Sequence, residues 1–293
     1  MFSNIKLYLF LLRPIDWLKN LFVFVPIVFS KHFLVVNELI ITFLAFACFS
    51  LASSIVYVIN DIADVENDRL HPIKKNRPIA SGKVSVKSAY STIVILSLLL
   101  LFLFLLMNPK FVVIVLAYIL LNIFYSFSWK SKVIIDLFSI AAGFMLRVIG
   151  GAVAISVYIS SWLIITTLFL SLYLAAMKRR AEIISSSNAV EQRAVLKFYS
   201  INFIDQLSVI SAAGVVLSYT LYTVSERTVN FFKTENLIYT TVFVLYGMFR
   251  YMYLVFQVGE GENVAKVLLS DKPMLINFIL YVISIFIIIY FLK

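Results

Sequence analysis

Long apolar runs separated by short polar segments are the main pattern along the chain. Each run approaches the ~20 residues that a membrane helix needs, and none alternates apolar and polar positions as the strands of a β-barrel do. The pattern predicts an all-α integral membrane protein with nine transmembrane helices, in a single domain over residues 1–293. The predicted spans are 20–36, 39–59, 88–107, 111–129, 133–154, 159–177, 200–224, 237–257 and 274–292.

The composition agrees with this pattern and excludes other classes. Of the 293 residues, 62% are apolar and 14% are charged, which excludes a soluble globular domain and a disordered chain. The single cysteine, Cys48, lies in an apolar run. A disulfide framework and a cysteine-rich metal site are therefore excluded as well.

The net charge of +10 has a topological explanation. Most Lys and Arg residues lie in the N-terminal arm and in alternate loops, and loops rich in these residues stay on the cytoplasmic side of a membrane. We therefore expect a multi-pass protein of the cell (inner) membrane. Its N-terminus and its two most basic loops, residues 60–87 and 178–199, should face the cytoplasm, and no nucleic-acid partner is expected.

Acidic side chains cluster at helical spacing just after the second predicted span. Asp61, Asp64 and Asp68 are three and four residues apart, and Asn60 precedes them, so a helix would place them on one face. Like charges in this arrangement repel unless a cation lies against them. Oxygen ligands of this kind suit Mg²⁺, which one or two carboxylates hold while substrate phosphates complete its coordination. The alternative is a solvated loop whose charges serve only topology.

Basic residues, among them Lys74 and Arg77, follow these acids in the same loop. They are suited to neutralise the phosphate oxygens that a metal leaves uncovered. Acids followed by bases therefore favour a site for a metal-bound diphosphate.

Two motifs in this loop resemble those of a known family. They are Asn60-Asp61-x-x-Asp64-x-x-x-Asp68 and Arg77-Pro78-Ile79-Ala80-Ser81-Gly82, and together they are similar to the first aspartate-rich motif of the UbiA-type prenyltransferase superfamily. The resemblance covers nearly the whole chain. It implies a UbiA-like intramembrane transferase bundle of nine helices, in which the acids of the motif and Asn60 hold Mg²⁺ on a diphosphate.

The second basic loop departs from most of that superfamily. Where a second aspartate-rich motif is expected, the chain has Lys178-Arg179-Arg180-Ala181-Glu182. One acid among several bases is poor for a second Mg²⁺ but suits a phosphate that has no metal of its own. Topology alone is the other explanation of these bases.

Three further segments narrow the resemblance. They are Arg13-Pro14-x-x-Trp17-x-Lys19-Asn20, then Tyr125-Ser126 with Lys130, and a fifth span that runs from Asp136 through Gly143 and Arg147 to Gly151-Ala152. With the Lys178–Glu182 block, they are similar to one branch of the superfamily, the decaprenyl-phosphate phosphoribosyltransferases. The donor substrate of that branch is phosphoribosyl pyrophosphate (PRPP).

Arg147 lies inside a predicted span, where a charge is costly and usually faces the bundle interior or a wet cavity. Asp136 precedes it by about three turns, ~16 Å of helical rise, so the two do not form a simple pair. A structural role, with donation to backbone carbonyls, and a role in ligand binding are both open.

These observations lead to a hypothesis of Mg²⁺-dependent transfer of 5-phosphoribose from PRPP to a long-chain polyprenyl phosphate, with release of pyrophosphate. The chemistry is expected to depend on Asp61, Asp64 and Asp68 as metal ligands with Asn60. Lys178, Arg179 and Arg180 would bind the ribose 5-phosphate and Glu182 the ribose hydroxyls. The remaining candidates for substrate binding are Arg13, Lys19, Lys74, Arg77, Tyr125, Lys130 and Arg147.

Two alternatives remain open at this stage. An aromatic prenyltransferase, with a polyprenyl diphosphate donor and a hydroxybenzoate- or naphthoate-like acceptor, shares the first motif. A transporter is the more distant alternative, since neither inverted repeats nor broken helices in matching places are evident. The lipid bilayer is an expected partner in each case, and an oligomer is possible.

Overall fold

The computed structural model describes residues 2–70, 74–185, 195–259, 267 and 270–292. Within these residues every regular element is helical, which confirms the predicted all-α fold class. In chain order the α-helices are α1 (Phe2–Leu12), α2 (Val25–Phe29), α3 (Val36–Ala63), α4 (Val65–Leu70), α5 (Val86–Phe104), α6 (Pro109–Phe127), α7 (Ile135–Ala154), α8 (Ser161–Ser185), α9 (Ile201–Val224), α10 (Glu226–Phe232), α11 (Thr241–Tyr253) and α12 (Lys272–Tyr290).

Helical segments of other types connect them. Five 3₁₀ helices span Pro14–Phe24, Lys74–Asn76, Trp129–Ser131, Leu196–Phe198 and Asn236–Thr240 in the described part of the chain, and a π-helix spans Leu254–Val258. The 3₁₀ turn at Asn236, α11 and the π-helix run together as one helical stretch, Asn236–Val258.

Eight helices in the described part of the chain are long and apolar enough to cross a membrane. They are α3, α5, α6, α7, α8, α9, the stretch Asn236–Val258 and α12. The difference from the nine predicted spans lies at residues 20–36. There the apolar segment is divided between the 3₁₀ helix Pro14–Phe24 and the five-residue α2, and Lys31, with φ 62°, turns the chain soon after α2 ends.

Several helix starts follow directly from the sequence. Asn108 accepts a 2.8 Å hydrogen bond from the backbone N–H of Phe111, and Pro109 occupies the first helical position of α6. Asp271 caps α12 in the same way through the N–H of Met274. Such side-chain oxygens satisfy amides that a helix leaves unpaired at its start, and Asn108-Pro109 accordingly marks the start of α6.

The chain divides into two compact units. Unit 1 comprises residues 1–27, 33–128 and 146–157, and unit 2 comprises residues 28–32, 129–145 and 158–293. The expectation of a single domain over residues 1–293 stays a prediction.

An aromatic core and a close backbone approach hold unit 1 together. The rings of Phe111 and Tyr118 pack edge-on against Phe49, at centroid distances of 5.9 and 5.3 Å. A Cβ added at Gly151 would lie 2.9 Å from the carbonyl carbon of Val23 and closer still to its oxygen. Only glycine therefore allows α7 to approach the Pro14–Phe24 helix so closely.

Unit 2 has its own apolar clusters. One contains Tyr173, Met177, Val215 and Tyr251, and another contains Leu137, Ala176 and Ile204. The second cluster lies beside the start of α7 and the end of α8, and it therefore supports the polar groups that those two helix ends carry.

Candidate functional site

The acidic motif begins at the C-terminal end of α3. This helix has 28 residues, or ~42 Å at 1.5 Å per residue, which exceeds the ~30 Å hydrocarbon core of a bilayer. Asn60 and Asp61 therefore occupy the end of a helix that is long enough to emerge from the membrane. Asp64 separates α3 from α4, yet its N–H bonds to Asn60 O (2.9 Å) and its carbonyl accepts from Asp68 N (2.8 Å), so helical hydrogen bonding continues through it.

Asp61 and Asp68 meet at a single nitrogen atom. Arg77 Nη1 lies 3.0 Å from Asp61 Oδ1 and 2.6 Å from Asp68 Oδ2. The two acidic side chains are only 2% and 5% exposed. Their spacing of seven residues is two helical turns, so the structure brings these two predicted site residues together on one face, as their spacing indicates.

Arg13 joins the same pair from the N-terminal arm. Its Nη2 lies 2.6 Å from Asp61 Oδ1, and its guanidinium lies over the ring of Tyr57, 5.0 Å from the centroid. Arg13 has a φ of 53°, in the left-handed region, and Pro14 begins the next helix directly after it. Asp61 is thus contacted by two arginines from different segments of unit 1.

The motif that contains Arg77 folds into a compact turn. Arg77 N donates to Lys74 O (2.9 Å), Ser81 N to Arg77 O (2.9 Å) and Val84 N to Pro78 O (2.9 Å). Gly82 has a φ of 74°, a conformation that glycine adopts without strain. With Ile79 fully packed at 2% exposure, this turn fixes the backbone from which Arg77 extends towards the acids. Lys74 is half-buried at the start of the turn.

The residues present fit a divalent cation in their chemistry. No group of three or more His, Cys, Asp or Glu side chains is arranged to hold a metal within the described residues. Two buried carboxylates nevertheless converge on one cationic atom, Arg77 Nη1. Mg²⁺ is commonly held by one or two carboxylates together with substrate phosphates, and Asp61 and Asp68 supply that number of carboxylates.

Arg147 lies in a buried polar cluster of unit 1. Its Nε donates to Asn20 Oδ1 and its Nη2 to Tyr118 Oη, both at 2.7 Å. Asn20 also donates to Ser50, and Tyr118 shares a 3.0 Å hydrogen bond with Ser53. These contacts are made with side chains, whereas the structural role expected from the sequence was donation to backbone carbonyls. Asp136, about three turns earlier in the sequence, binds Arg179.

The other candidates of the predicted site are distributed over both units. Lys19 forms an ion pair with Asp16 in unit 1. Tyr125 is half-buried near the end of α6 in unit 1, and Lys130 is half-buried in the 3₁₀ helix Trp129–Ser131 of unit 2. Residues 71–73 and 186–194, which include the loop positions Glu191 and Arg193, lie outside the described residues.

The second basic motif forms a buried network in unit 2. Arg179, whose side chain is 1% exposed, donates from Nε to Asp136 Oδ2 (2.9 Å) and from Nη1 to Glu182 Oε2 (2.8 Å). Tyr199 donates to the other oxygen of Asp136 (2.6 Å) and accepts the N–H of Ile134 (2.7 Å). Burial, together with the hydrogen bond to Asp136, raises the pKa of Tyr199 above its ordinary value. The phenol therefore stays protonated and acts as the donor.

Arg180 points to a different set of partners. Its Nε lies 2.7 Å from Asp205 Oδ1, its Nη1 donates to Val255 O at 3.1 Å, and its guanidinium lies over the ring of Phe256 at 4.0 Å. These contacts fix the π-helical turn Leu254–Val258. Lys178 is the most exposed of the three bases, at 38%, and lies 3.9 Å from Glu182.

Sequence reasoning missed the partners of the charged residues. Asp136 and Asn20 belong to segments that resemble the family, but nothing in their spacing indicates that they bind Arg179 and Arg147. An acid in the first turn of a span, as at Asp136, does indicate a buried ion pair, because a buried charge requires a partner. Tyr199 carries no comparable signal.

Comparison with known proteins identifies the family. The model of the UbiA prenyltransferase family matches residues 21–279. The decaprenyl-phosphate phosphoribosyltransferase of Corynebacterium glutamicum is 34% identical over 216 residues, which span 72% of this chain and 65% of that protein. The protein of the same name from Mycobacterium tuberculosis is 32% identical over 216 residues, which span 72% of each chain.

A solved structure has the same fold. The structure of a UbiA homologue from Archaeoglobus fulgidus bound to GPP and Mg²⁺ has a TM-score of 0.72, covers 97% of this chain and 99% of its own, and is 18% identical in sequence. The predicted UbiA-like bundle is thereby confirmed. Since the family model covers most of the sequence and relatives above 30% identity cover 72% of it, the chain belongs to the UbiA prenyltransferase family of membrane transferases.

Proposed function

We propose that this transferase moves the 5-phosphoribosyl group of PRPP to the phosphate of a long-chain polyprenyl phosphate and releases pyrophosphate, in a Mg²⁺-dependent reaction. The observation that carries the proposal is the convergence of Asp61 and Asp68 on Arg77, with Arg13 beside them. Paired acids and arginines suit a metal-bound diphosphate. The choice of donor and acceptor is supported by the names of the two bacterial relatives.

The acidic motif and its two arginines would bind the diphosphate of the donor. Asp61 and Asp68, with Asn60 and Asp64 of the same motif, would hold Mg²⁺, which as a Lewis acid would neutralise the negative charge that develops on the departing pyrophosphate. Arg77 and Arg13 are close enough to these acids to bind diphosphate oxygens directly, and Lys74 begins the turn that positions Arg77. Arg13, which the sequence offered only as a general candidate for substrate binding, is therefore assigned to the diphosphate.

The second basic motif would recognise the 5-phosphoribosyl group. Lys178 is the best placed of its three bases to bind a phosphate, because it is the most exposed of them and its contact with Glu182 is long, at 3.9 Å. Arg179 and Arg180 are held by carboxylates at shorter distances. Glu182 is partly exposed, at 15%, and is suited to accept hydrogen bonds from ribose hydroxyls. Arg179 and Arg180 would then act mainly by fixing the neighbouring groups.

The acceptor phosphate needs little activation. One of its oxygens would attack C1 of the ribose while the bond from C1 to the diphosphate oxygen breaks, through an oxocarbenium-like transition state of the kind seen in glycosyl transfer. Because a lipid phosphate is already anionic at neutral pH, no strong general base is required. Lys19 and Lys130 are the candidates for this phosphate and Tyr125 and Arg147 are further candidates for substrate contact, at the cytoplasmic face of the cell membrane.

A direct assay tests this function. Purified protein in detergent, given Mg²⁺, PRPP labelled in the ribose and decaprenyl phosphate, should form a labelled lipid, and EDTA should abolish its formation. A parallel assay would supply a polyprenyl diphosphate with a hydroxybenzoate or naphthoate acceptor. Product in the second assay alone would identify an aromatic prenyltransferase and contradict the proposal.

A further inference from the structure

A fully buried carboxylate outside the acidic motif and the second basic motif links several groups of unit 2. Asp136, in the first turn of α7, is 0% exposed. One of its oxygens accepts the phenol of Tyr199 and the other accepts Nε of Arg179. Both oxygens therefore have fixed donors, and the orientation of this carboxylate is determined from two sides.

Arg179 links the orientation of the Asp136 carboxylate to that of Glu182. The guanidinium is planar and rigid, so fixing Nε against Asp136 also fixes the direction of Nη1, which donates to Glu182. With its side chain 1% exposed, Arg179 could bind a substrate phosphate only after leaving two carboxylates. Its position is that of a connector between Asp136 and Glu182.

Glu182 is the partly exposed end of this chain of contacts. Arg179 holds its Oε2, and its Oε1 lies 3.9 Å from Lys178 Nζ. An ionised carboxylate has about four acceptor positions on its two oxygens. A partly exposed carboxylate held in one orientation is suited to accept hydrogen bonds from two neighbouring hydroxyls, as on a ribose ring.

We propose that Asp136 is a positioning residue for donor specificity: through Arg179 it holds the Glu182 carboxylate in the orientation that recognises the 2-hydroxyl of the donor ribose. Tyr199 supports this by fixing the second oxygen of Asp136. The inference rests on the proposed function, since it concerns the same donor. A role of Asp136 in folding alone would affect a ribose donor and a 2-deoxyribose donor equally, whereas the proposed role affects the preference between them.

The test compares PRPP with its 2-deoxyribose analogue as donors and measures the ratio of their kcat/KM values. A site that binds a substrate hydroxyl rejects the analogue without it strongly, and for a partly exposed carboxylate we expect a preference of about 100-fold. Glu182→Gln should reduce this preference to below about tenfold. Asp136→Asn and the milder Tyr199→Phe should also reduce the preference for PRPP.

Asp205→Asn is the matched control, because it removes the carboxylate from Arg180 in the same unit without touching the Asp136 contacts. Its preference should equal that of the wild type. Retained preference in Asp136→Asn and Tyr199→Phe, with equal losses of activity for both donors, would overturn the inference. So would retained preference in Glu182→Gln.

The same assay distinguishes a failure of the proposed function from a failure of this inference. A wild-type protein that transfers ribose from neither donor would overturn the proposed function and this inference together. An active wild-type enzyme whose preference is insensitive to Asp136 and Glu182 would overturn the inference alone. If Asp136→Asn does not fold in detergent, Tyr199→Phe, which keeps both charges and the stacked Phe203 ring, decides the question.

Discussion

Arg77 Nη1 lies 2.6 Å from Asp68 Oδ2, and this ion pair joins the two halves of the loop that follows α3. Asp68 belongs to the acidic motif and Arg77 to the basic motif nine residues later. Two acids on one helical face repel one another unless a cation lies between them, and this arginine provides that charge. The same guanidinium is therefore a structural counter-ion and, in the proposed function, also a residue that binds the diphosphate.

Arg77→Gln should make the stability of the protein more dependent on Mg²⁺. Without the guanidinium, two buried carboxylates lose their counter-charge, and removing one partner of such a pair is destabilising. We expect a lower Tm in EDTA and a larger rise in Tm on adding Mg²⁺ than in the wild type. Tenfold tighter metal binding corresponds to about 1.4 kcal/mol of added stability at saturating Mg²⁺.

The measurement can use Cys48, the only cysteine of the sequence, which is fully buried and becomes available to a thiol-reactive dye on unfolding. Arg69→Gln is the control, because Arg69 pairs with Glu66 at 3.0 Å on an exposed surface. A Mg²⁺-dependent shift in Arg77→Gln no larger than in Arg69→Gln would contradict competition between the arginine and the metal.

Asp68→Asn should abolish transfer while leaving the fold intact. The substitution preserves size and one acceptor oxygen but removes a charge that the proposed Mg²⁺ site needs. We expect kcat to fall by at least about 100-fold, the order lost when a group that stabilises developing charge is removed. Glu66→Gln, two residues earlier and on the exposed side of α4, should retain nearly full activity. An active Asp68→Asn variant with unchanged Mg²⁺ dependence would disprove the assignment of this metal ligand.

The sequence predicts the helical class, the position of all but the first span, and the shared face of Asp61 and Asp68. These features depend on apolar run length and on helical periodicity, which are local properties of the chain. The partners of the charged residues are not predictable in the same way. Arg179 pairs with Asp136 over a separation of 43 residues and Arg147 with Asn20 over 127, and such contacts depend on helix packing.

The first predicted span is a second feature that local sequence patterns do not predict correctly. The apolar content of residues 20–36 is sufficient for a membrane helix, but the left-handed residues Arg13 and Lys31 enclose a 3₁₀ helix and a short α-helix. The close contact of Gly151 with Val23 occurs in this region. Tertiary packing, which no local pattern encodes, therefore determines how these residues wind.

Tyr118→Phe should destabilise unit 1 without changing the affinity for the donor. The phenol oxygen accepts the Nη2 hydrogen bond of Arg147 in a buried position, and an unsatisfied buried donor costs about 1–3 kcal/mol. We expect a lower Tm, measured through Cys48 labelling, and an unchanged KM for PRPP. Tyr239→Phe, at a side chain that is 69% exposed, is the control and should leave the Tm unchanged. A raised KM with an unchanged Tm would indicate instead that the Arg147 cluster binds substrate.

The Asp271 carboxylate should contribute to stability only above acidic pH. Arg250 donates to both of its oxygens, at 3.1 and 2.7 Å, and these hydrogen bonds hold the pKa of Asp271 below its usual value. A carboxyl with a lowered pKa in the folded state stabilises the protein above its unfolded pKa of about 3.9. That contribution is lost as the pH falls through the folded-state pKa.

Asp271→Asn isolates this charge, because asparagine is as good a helix N-cap as aspartate and keeps the hydrogen bond from Met274 N. We expect a lower Tm than in the wild type at pH 7, and a difference that shrinks as the pH falls below about 4. Asp271→Ala, which also removes the cap, should cost about 1 kcal/mol more across the range. The Tm of all three proteins can be measured from tryptophan fluorescence during heating in detergent. A Tm difference between wild type and Asp271→Asn that stays constant down to pH 3 would show that the charge of Asp271 does not stabilise the start of α12.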